Sequence, residues 1–462
     1  MTRAPSPAAA ARLPRRVRAG YALGSVATGA FGTVPGLLLL PYLTDRLGVA
    51  AALAGLVVLV PKAWDVILNP IAGRISDTST HSEGKRRPFL LRAGLLLAVL
   101  FALLFAGPGA PKALAAAWVV VLFLGCATAY AFFQVPYVAM PAELTADYGE
   151  RTRLMTWRVA VLALAILVSG GVSPLIRDAL GPDWGYRGVG AFVGGLIAFG
   201  AFGAWRGTAS ALSHSVSSPT AGLTDSAGLT EQLRLVVRER HFRPLLTAFV
   251  VQALATGCML AGVDYEATWV VGRDGAASVL FACFVAPAVL VTPVWQLLGD
   301  RVGKKAGYLG ASLILLAGAL AGSALSGAAL GPLAAAVAVV GVGYAGTQMF
   351  PLAMLADVAA VDAATTGENR IGVFTGVWTG AETLGLALGP GLYAAVLAAG
   401  GYVSSAGSHL AQSGRALDAI HLGFTLVPAV LVGLSMLAIH RYTLQAQDVF
   451  RASSGHPQEE SQ

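Results

Sequence analysis

The stretch Gln134-Val-Pro-Tyr-Val-Ala-Met-Pro-Ala-Glu143 recurs in altered form later in the chain, as Gln348-Met-Phe-Pro-Leu-Ala-Met-Leu-Ala-Asp357. The glutamine, the Ala-Met pair and the terminal carboxylate coincide, all displaced by 214 residues (134 to 348). Each copy closes an apolar run that is long enough to form a membrane-crossing helix. The constant displacement predicts a chain built from two related halves, with one copy of this helix in each half.

The composition predicts a protein that uses lipid as its solvent. Of the 462 residues, 56% are hydrophobic and only 12% charged, whereas a soluble chain carries roughly 25% charged residues. The 56 glycines suit helices that pack closely within a bilayer. The 3 cysteines lie in apolar stretches without a C-x-x-C pair or a histidine cluster, so neither a disulfide nor a metal site is expected.

Apolar runs recur along the whole chain, and each is about long enough to cross a hydrocarbon layer of roughly 30 Å. The sequence therefore predicts an all-α integral membrane protein with about 12 transmembrane helices in two six-helix halves, the architecture of major facilitator transporters. A Ser/Thr/Gly-rich stretch followed by the amphipathic segment Leu229–His241 separates the halves. The predicted divisions are a basic N-terminus (1–19), an N-terminal half (20–205), a linker with an amphipathic helix (206–242), a C-terminal half (243–441) and a tail (442–462).

The basic residues predict how the chain is oriented. With the N-terminus in the cytoplasm, 24 of the 31 lysines and arginines fall on the cytoplasmic side, as the positive-inside rule requires. This asymmetry accounts for the net charge of +7, so no nucleic-acid partner is expected. We expect a multi-pass protein of the cell membrane, monomeric, with both termini in the cytoplasm.

Two charged residues lie within the second apolar run. Lys62 and Asp65 are three residues apart, so they share one face of a helix. A charge near the bilayer centre costs at least about 2.5–3.5 kcal/mol, so such residues usually serve a function. Two interpretations stay open: a self-neutralising pair that fixes helix packing, and a cation or proton site in which Lys62 is the internal counter-charge.

Three further acidic residues fall in predicted helices of the second half. Glu382 lies near the middle of the eleventh helix, where it could carry a proton or serve as a buried, neutral hydrogen-bonding group. Asp264 and Glu266 lie in the outer part of the seventh helix. Because residues two apart point to different faces of a helix, at most one is expected to face a cavity. A solvated position in an outer loop is the alternative for this pair.

Other charged residues lie at the predicted cytoplasmic ends of helices. Glu143, Arg158 and Asp357 are expected there in ion pairs between helices that open and close during a transport cycle. The full set predicted for this conformational network comprises Asp77, Arg87, Glu143, Arg151, Asp300, Lys304, Asp357 and Arg370.

An enzyme is not expected from this sequence. The seven histidines fall in predicted loops, tails or helix ends, and the chain has no H-E-x-x-H, G-x-S-x-G or P-loop motif. No organic cofactor or structural metal is predicted. A secondary transporter is favoured, and the alternative of another class is a membrane receptor or scaffold that has lost transport.

Several motifs resemble one known family. The segment Trp64-Asp-Val-Ile-Leu-Asn-Pro-Ile-Ala-Gly-Arg-Ile-Ser-Asp-Thr78, followed by Gly84-Lys-Arg-Arg-Pro88, is similar to the signature of the glycoside–pentoside–hexuronide:cation symporters. These melibiose-permease-like proteins belong to the major facilitator superfamily. Val135-Pro-Tyr137 and Gly367-Glu-Asn-Arg370 are also similar to that family. The resemblance implies alternating-access symport of a small solute with a coupling cation.

The resemblance also implies residue roles. Asp65 matches the first carboxylate of the signature, which helps to bind the coupling cation, while Lys62 and Arg158 match basic residues of the family. Asn69 and Gln134 replace carboxylates found in sodium-coupled sugar transporters, which favours a proton over sodium as the coupling cation, with sodium as the alternative. A sugar or glycoside-like compound is the expected solute, with an amphipathic or lipid-like solute as the alternative. The predicted cation- or substrate-binding residues are Lys62, Asp65, Asn69, Gln134, Arg158, Asp264, Glu266 and Glu382.

Overall fold

The computed structural model describes residues 13–79, 86–109, 111–145, 148–209, 234, 237–325, 327, 329–367, 370–405, 410–444 and 447. The regular secondary structure of these residues is helical throughout. Most of the predicted amphipathic segment lies outside the described residues, as do residues 1–12 of the predicted basic N-terminus.

The first half contains six membrane helices. The first, α1 (Arg15–Pro41), continues into a π-helical turn, Tyr42–Arg46. It is followed by α2 (Ala51–Thr78), α3 (Arg87–Leu104) and α4 (Lys112–Ala139), after which the chain makes one short helical turn, Pro141–Leu144.

The fifth and sixth helices form one run that a glycine interrupts. Tyr148–Gly207 spans 60 residues, which as one helix would measure about 90 Å at 1.5 Å per residue. Gly181 breaks it with φ 71° and ψ −174°, a backbone conformation that glycine adopts without steric cost. Two helices result, α5 (148–180) and α6 (182–207).

The second half repeats this plan. Its first helix, α7 (Phe242–Tyr265), also continues into a π-helical turn, Glu266–Val271. The remaining helices are α8 (Ala276–Val302), α9 (Lys304–Ser323), α10 (Leu330–Thr366), α11 (Ile371–Ala399) and α12 (Gly414–His440), the last broken at Thr425.

Among the described residues, ten helical stretches are long and apolar enough to cross a membrane. One of them, Arg153–Gly207, contains the break at Gly181 and therefore supplies two helices. The helix α2, with 28 residues, completes the twelve. The predicted all-α membrane fold is confirmed.

The chain divides into two compact units by its internal packing. The first comprises Met1–Pro35 with Ala63–Gly222, and the second comprises Gly36–Lys62 with Leu223–Gln462. The end of α1 and the first part of α2 thus pack with the second unit, although their place in the sequence is in the first half. Hydrogen bonds made by Thr44 and Asp45 of the π-turn hold the end of α1 in this unit.

Close approach of backbones holds helices together within each unit. A Cβ atom placed on Gly389 of α11 would lie 2.4 Å from the backbone nitrogen of Cys258 on α7. In the first unit, a Cβ atom on Gly20 of α1 would lie 2.4 Å from the Cα atom of Gly207 on α6. Because no real Cβ atom fits at such distances, glycine is required at these crossings, as in other membrane helix pairs.

A buried amide ties three helices of the second unit together. The side-chain nitrogen of Gln252 on α7 donates to the hydroxyls of Ser312 on α9 and Ser435 on α12, each at 2.9 Å. The Tyr308 hydroxyl donates to the Gln252 carbonyl oxygen at 2.9 Å. All four side chains are buried, so this satisfied network fixes how α7, α9 and α12 pack.

Candidate functional site

The first unit places a carboxylate and a guanidinium around one tyrosine. Asp65 on α2 is buried, with 5% of its surface exposed. The charges of Asp65 and of Arg158 on α5 both act on the hydroxyl of Tyr130 on α4. The fold thus brings two of the predicted site residues to the same tyrosine from different helices.

Uncharged groups extend this cluster toward α1. The Tyr137 hydroxyl donates to the backbone oxygen of Tyr21 at 2.8 Å and is hydrogen-bonded to Ser25 at 2.9 Å. The rings of Tyr21 and Tyr137 stack with 4.8 Å between centroids, and the Arg158 guanidinium carbon lies 5.6 Å from the Tyr137 ring centroid.

Arg158 therefore differs from its expected place in an ion pair at a helix end. Within the described part of the chain it makes no ion pair; it lies against aromatic rings instead, where a guanidinium is stabilised by cation–π interaction. Tyr21 and Ser25 were not predicted as site residues, because single uncharged side chains are not distinctive in an apolar helix, and Tyr137 was noted only as part of a family-like motif.

Gln134 supplies a polar atom that is available to a ligand. Its side-chain oxygen is buried and has no hydrogen-bond partner among the described residues. Leaving such an acceptor unsatisfied costs about 1–3 kcal/mol, so a donor from a bound solute would be favoured there. Asn69, one turn beyond Asp65 on α2, is exposed, while Lys62 is half-buried.

The second half repeats part of this arrangement. Tyr344 on α10 follows Tyr130 by the same 214 residues (130 to 344), just as Gln348 follows Gln134. The charge of Glu382 on α11 and the side chain of Gln348 both act on the Tyr344 hydroxyl. No hydrogen bond or ion pair of Glu382 is found among the residues that the structure describes. Because Tyr130 and Tyr344 extend the repeated motif at the same displacement, both tyrosines could have been identified from the sequence.

A histidine pairs with one of the predicted acids. The Nδ1 atom of His421 on α12 lies 2.7 Å from the Oε1 atom of Glu266, and its Nε2 atom lies 3.3 Å from the backbone oxygen of Ser323. Glu266 is 0% exposed, and His421 and Asp264 are each 2% exposed. The alternative of a solvated outer loop for Asp264 and Glu266 is therefore wrong.

Two local elements position these residues. Glu266 begins the π-turn Glu266–Val271, and both it and Asp264 are buried in the fold rather than in an outer loop. The segment containing His421 starts at Gly414, where the Ser413 side chain accepts a hydrogen bond from the Ala416 nitrogen at 3.2 Å. This N-cap starts the short helix Gly414–Phe424, and His421 lies in its last turn, at a helix end as expected but buried.

Asp45 in the π-turn of α1 receives three hydrogen bonds. Thr44 donates at 2.9 Å, Trp269 donates at 3.3 Å and the Tyr402 hydroxyl donates as well. The hydroxyls of Thr44 and Tyr265 are hydrogen-bonded at 2.6 Å. Burial and the Asp45 carboxylate raise the pKa of Tyr402 well above its usual range, so its hydroxyl stays protonated and remains a donor.

Asp45 thus joins the end of α1 to the π-turn of α7 and to the segment after α11. The substitution Asp45→Ala removes all three of its side-chain hydrogen bonds. Because a hydrogen bond to a charged group contributes about 1.5–3 kcal/mol, amide hydrogen exchange in residues 42–49 should rise at least about tenfold. Asp274→Ala, at an exposed site, is the control. Equal exchange in both variants would show that Asp45 does not hold this segment.

Ion pairs at two helix junctions occupy equivalent places in the two halves. Arg86, just before α3, pairs with Glu143 beyond α4 at 3.1 Å, and Lys304 at the start of α9 pairs with Asp357 on α10 at 2.6 Å. Each pair thus joins the start of the third helix of its half to the terminal carboxylate of the repeated motif. Both carboxylates lie in ion pairs as predicted, but Asp357 lies within α10, which continues to Thr366, and not at a helix end.

The other residues of the predicted network lie in varied surroundings. Arg87 donates to the Trp205 backbone oxygen at 2.9 Å, and its guanidinium carbon lies 4.7 Å from the Trp205 ring centroid. Arg370 pairs with Asp362 at 2.7 Å, while Asp300 is exposed. The side chains of Asp77 and Arg151 lie outside the described residues.

Twelve membrane helices in two related halves, with charged residues buried among them, define a transporter of the major facilitator fold. Residues 20–446 match the family described as MFS/sugar transport protein. The chain therefore belongs to this family, that of the glycoside–pentoside–hexuronide symporters.

Relatives match along nearly the whole chain. An uncharacterized symporter of Synechocystis, sll1374, is 26% identical over 93% of this chain and 94% of its own length. The isoprimeverose transporter of Lactiplantibacillus pentosus is 25% identical over 93% of this chain and 89% of its own. The crystal structure of a bacterial homologue of the human lysosomal transporter Spinster superposes with a TM-score of 0.63, covering 96% of each chain at 13% identity. At that identity the last likeness shows the fold alone.

Proposed function

We propose that this protein is a proton-coupled symporter of a sugar or glycoside-like solute. Asp65 carries the proposal, because it is a buried carboxylate whose charge, like that of the Arg158 guanidinium, acts on the Tyr130 hydroxyl. A carboxylate in that position can change its protonation state as its surroundings change, which is what coupling to a proton requires. Glu382, with its own tyrosine in the second half, is proposed as the second carboxylate through which the proton passes.

A proton is favoured over sodium by the side chains around Asp65. A proton needs one basic atom, whereas a sodium ion needs several oxygen ligands at once. Asn69 and Gln134 offer neutral amides where carboxylates would add charge and ligands, and Asn69 is exposed. Of the three side chains Asp65, Asn69 and Gln134, Asp65 is therefore the only carboxylic acid.

A hydroxyl-rich solute is favoured by the free acceptor and the aromatic rings. The buried Gln134 oxygen accepts a hydrogen bond that a sugar hydroxyl can donate, and Arg158 can donate to a ring or glycosidic oxygen. The transport of isoprimeverose by a relative that matches over nearly its full length supports the same class of solute.

An amphipathic solute is the second candidate, and one observation favours it. A cavity of about 540 Å³ in the first unit is lined by apolar residues of α3 and α4 and by one cation, Arg92. Such a lining suits a molecule with an apolar body and an anionic head. Its other lining residues include Ser79, Phe89, Leu96, Leu100, Thr128 and Phe132.

Uptake into proteoliposomes tests the proposal. A proton gradient of about one pH unit stores about 1.4 kcal/mol, which corresponds to about tenfold accumulation for each coupled proton. Labelled isoprimeverose, melibiose and a lysophospholipid are offered under an inward proton gradient, an inward sodium gradient, or neither. We expect about tenfold accumulation of a sugar with the proton gradient alone. Accumulation driven by sodium would overturn the choice of ion, and uptake of the lysophospholipid alone would favour the second candidate.

A further inference from the structure

The hydrogen-bond geometry of Glu266 and His421 determines how many protons the two side chains hold together. The Nε2 atom of His421 faces the backbone oxygen of Ser323 at 3.3 Å, and its Nδ1 atom faces Glu266 Oε1 at 2.7 Å. A backbone oxygen only accepts, so Nε2 must carry a hydrogen. A second hydrogen must lie between Nδ1 and Oε1, because two lone pairs cannot face each other at that distance.

Two protonation states satisfy this geometry. Either His421 is an imidazolium beside a carboxylate, or His421 is neutral beside a protonated Glu266. Both contain one proton more than a neutral histidine beside a bare carboxylate. Loss of that proton would leave a carboxylate that is 0% exposed and whose Oε2 atom has no hydrogen-bond partner among the described residues. That state carries a full desolvation penalty.

Neighbouring groups from other elements also favour retention of the proton. Tyr393 on α11 lies within electrostatic range of Glu266, of Asp264 on α7 and of Asp45 on the π-turn of α1. The charges of Asp45 and Asp264 also act on one another, and interacting carboxylates oppose a further bare charge. Around His421, α9 presents the backbone oxygens of Gly322 and Ser323. Other charged groups on these elements are Arg46, which comes directly after Asp45, Glu382 on α11, and Arg415 and Asp418, which are both exposed on α12. Arg243, Lys304, Lys305 and His440 lie at the far ends of α7, α9 and α12.

We propose that Glu266 and His421 together form a proton-binding site of this transporter. The pair holds one proton between Oε1 and Nδ1 while it is buried, and exchanges it when water enters. Two irregular elements can admit that water: the π-turn Glu266–Val271 and the segment Gly414–Phe424, which breaks from the rest of α12 at Thr425. A role in coupling rests on the proposed function, whereas the proton site itself does not.

Spectroscopy on the purified full-length protein tests the site without any transport assay. Nitrogen-15 NMR of labelled histidine, assigned with His421→Gln, and the infrared carboxylic-acid band, assigned with Glu266→Gln, report the two protonation states. We expect one of these two signals to persist from about pH 6 to about pH 8, where an ordinary histidine titrates. A His421 that is neutral above about pH 7, with no acid band that Glu266→Gln removes, would overturn the proposal.

Matched variants separate this proposal from the transport function. Asp418→Asn, on the same short segment as His421 and exposed, should leave both signals unchanged. Isoprimeverose accumulation under the proton gradient should fall in Glu266→Gln and persist in Asp418→Asn. If the wild type accumulates no sugar while the signals persist, the proposed function fails and the proton site stands. If Glu266→Gln accumulates sugar like the wild type, the site has no role in coupling.

Discussion

Replacing Asp65 by asparagine is expected to abolish uphill accumulation of the transported sugar, while the protein still folds and inserts. Asparagine keeps the shape of the side chain but cannot exchange a proton, so the pH gradient no longer performs work on the solute. For a gradient of about one pH unit, the accumulation ratio should fall from about ten to about one. The measurement is uptake of labelled isoprimeverose into proteoliposomes of known protein content.

The control for this variant is Asp274→Asn, which changes the charge equally at an exposed position. It should accumulate sugar like the wild type. A thermal melt of each purified variant shows whether the fold is retained, so that lost transport is not confused with lost protein. Full accumulation by a folded Asp65→Asn protein would remove Asp65 from the coupling role.

The substitution Gly389→Val should disrupt the packing of α7 on α11. Its Cβ atom would lie 2.4 Å from backbone atoms of Gly257 and Cys258, and a backbone cannot move aside as a flexible side chain can. Overpacking of a core costs typically 1–3 kcal/mol and occasionally more, and we expect about 3 kcal/mol or more here. The measurement is the yield of monodisperse protein on size-exclusion chromatography and its melting temperature.

A neighbouring glycine gives a matched comparison on the same helix. A Cβ atom on Gly391 would meet nothing within 4 Å, so Gly391→Val should change the free energy of unfolding by no more than about 0.5 kcal/mol. Both variants add the same side chain to α11 two residues apart. Similar losses in the two proteins would mean that valine harms the helix itself, and the inferred close crossing would then be wrong.

The membrane fold was predictable because it depends on long-range averages. Hydropathy over about 20 residues and the positions of basic residues indicate helices even when single residues are ambiguous. The local break at Gly181 was not needed for that prediction. Helix ends were harder to predict, because the cap at Ser413 lies in a polar stretch without a distinctive pattern.

The candidate sites were only partly predictable, for a physical reason. A charge within an apolar run, such as Asp65 or Glu382, stands out because its burial is costly. A charge near a predicted helix end, such as Asp45 or His421, looks the same in sequence whether it is solvated or buried. Its partners lie hundreds of residues away, as Tyr402 does from Asp45, so only the folded chain shows which case holds.

The π-turns that end α1 and α7 have a consequence for comparing sequences. A π-turn accommodates one residue more than an α-helical turn, so it marks a place where a helix can gain or lose a single residue without changing the direction of the downstream chain. Alignments of this chain with relatives that lack either turn should therefore permit a one-residue gap at Tyr42–Arg46 and at Glu266–Val271. Without the gap, the residues on one side of the turn would be aligned one position out of register.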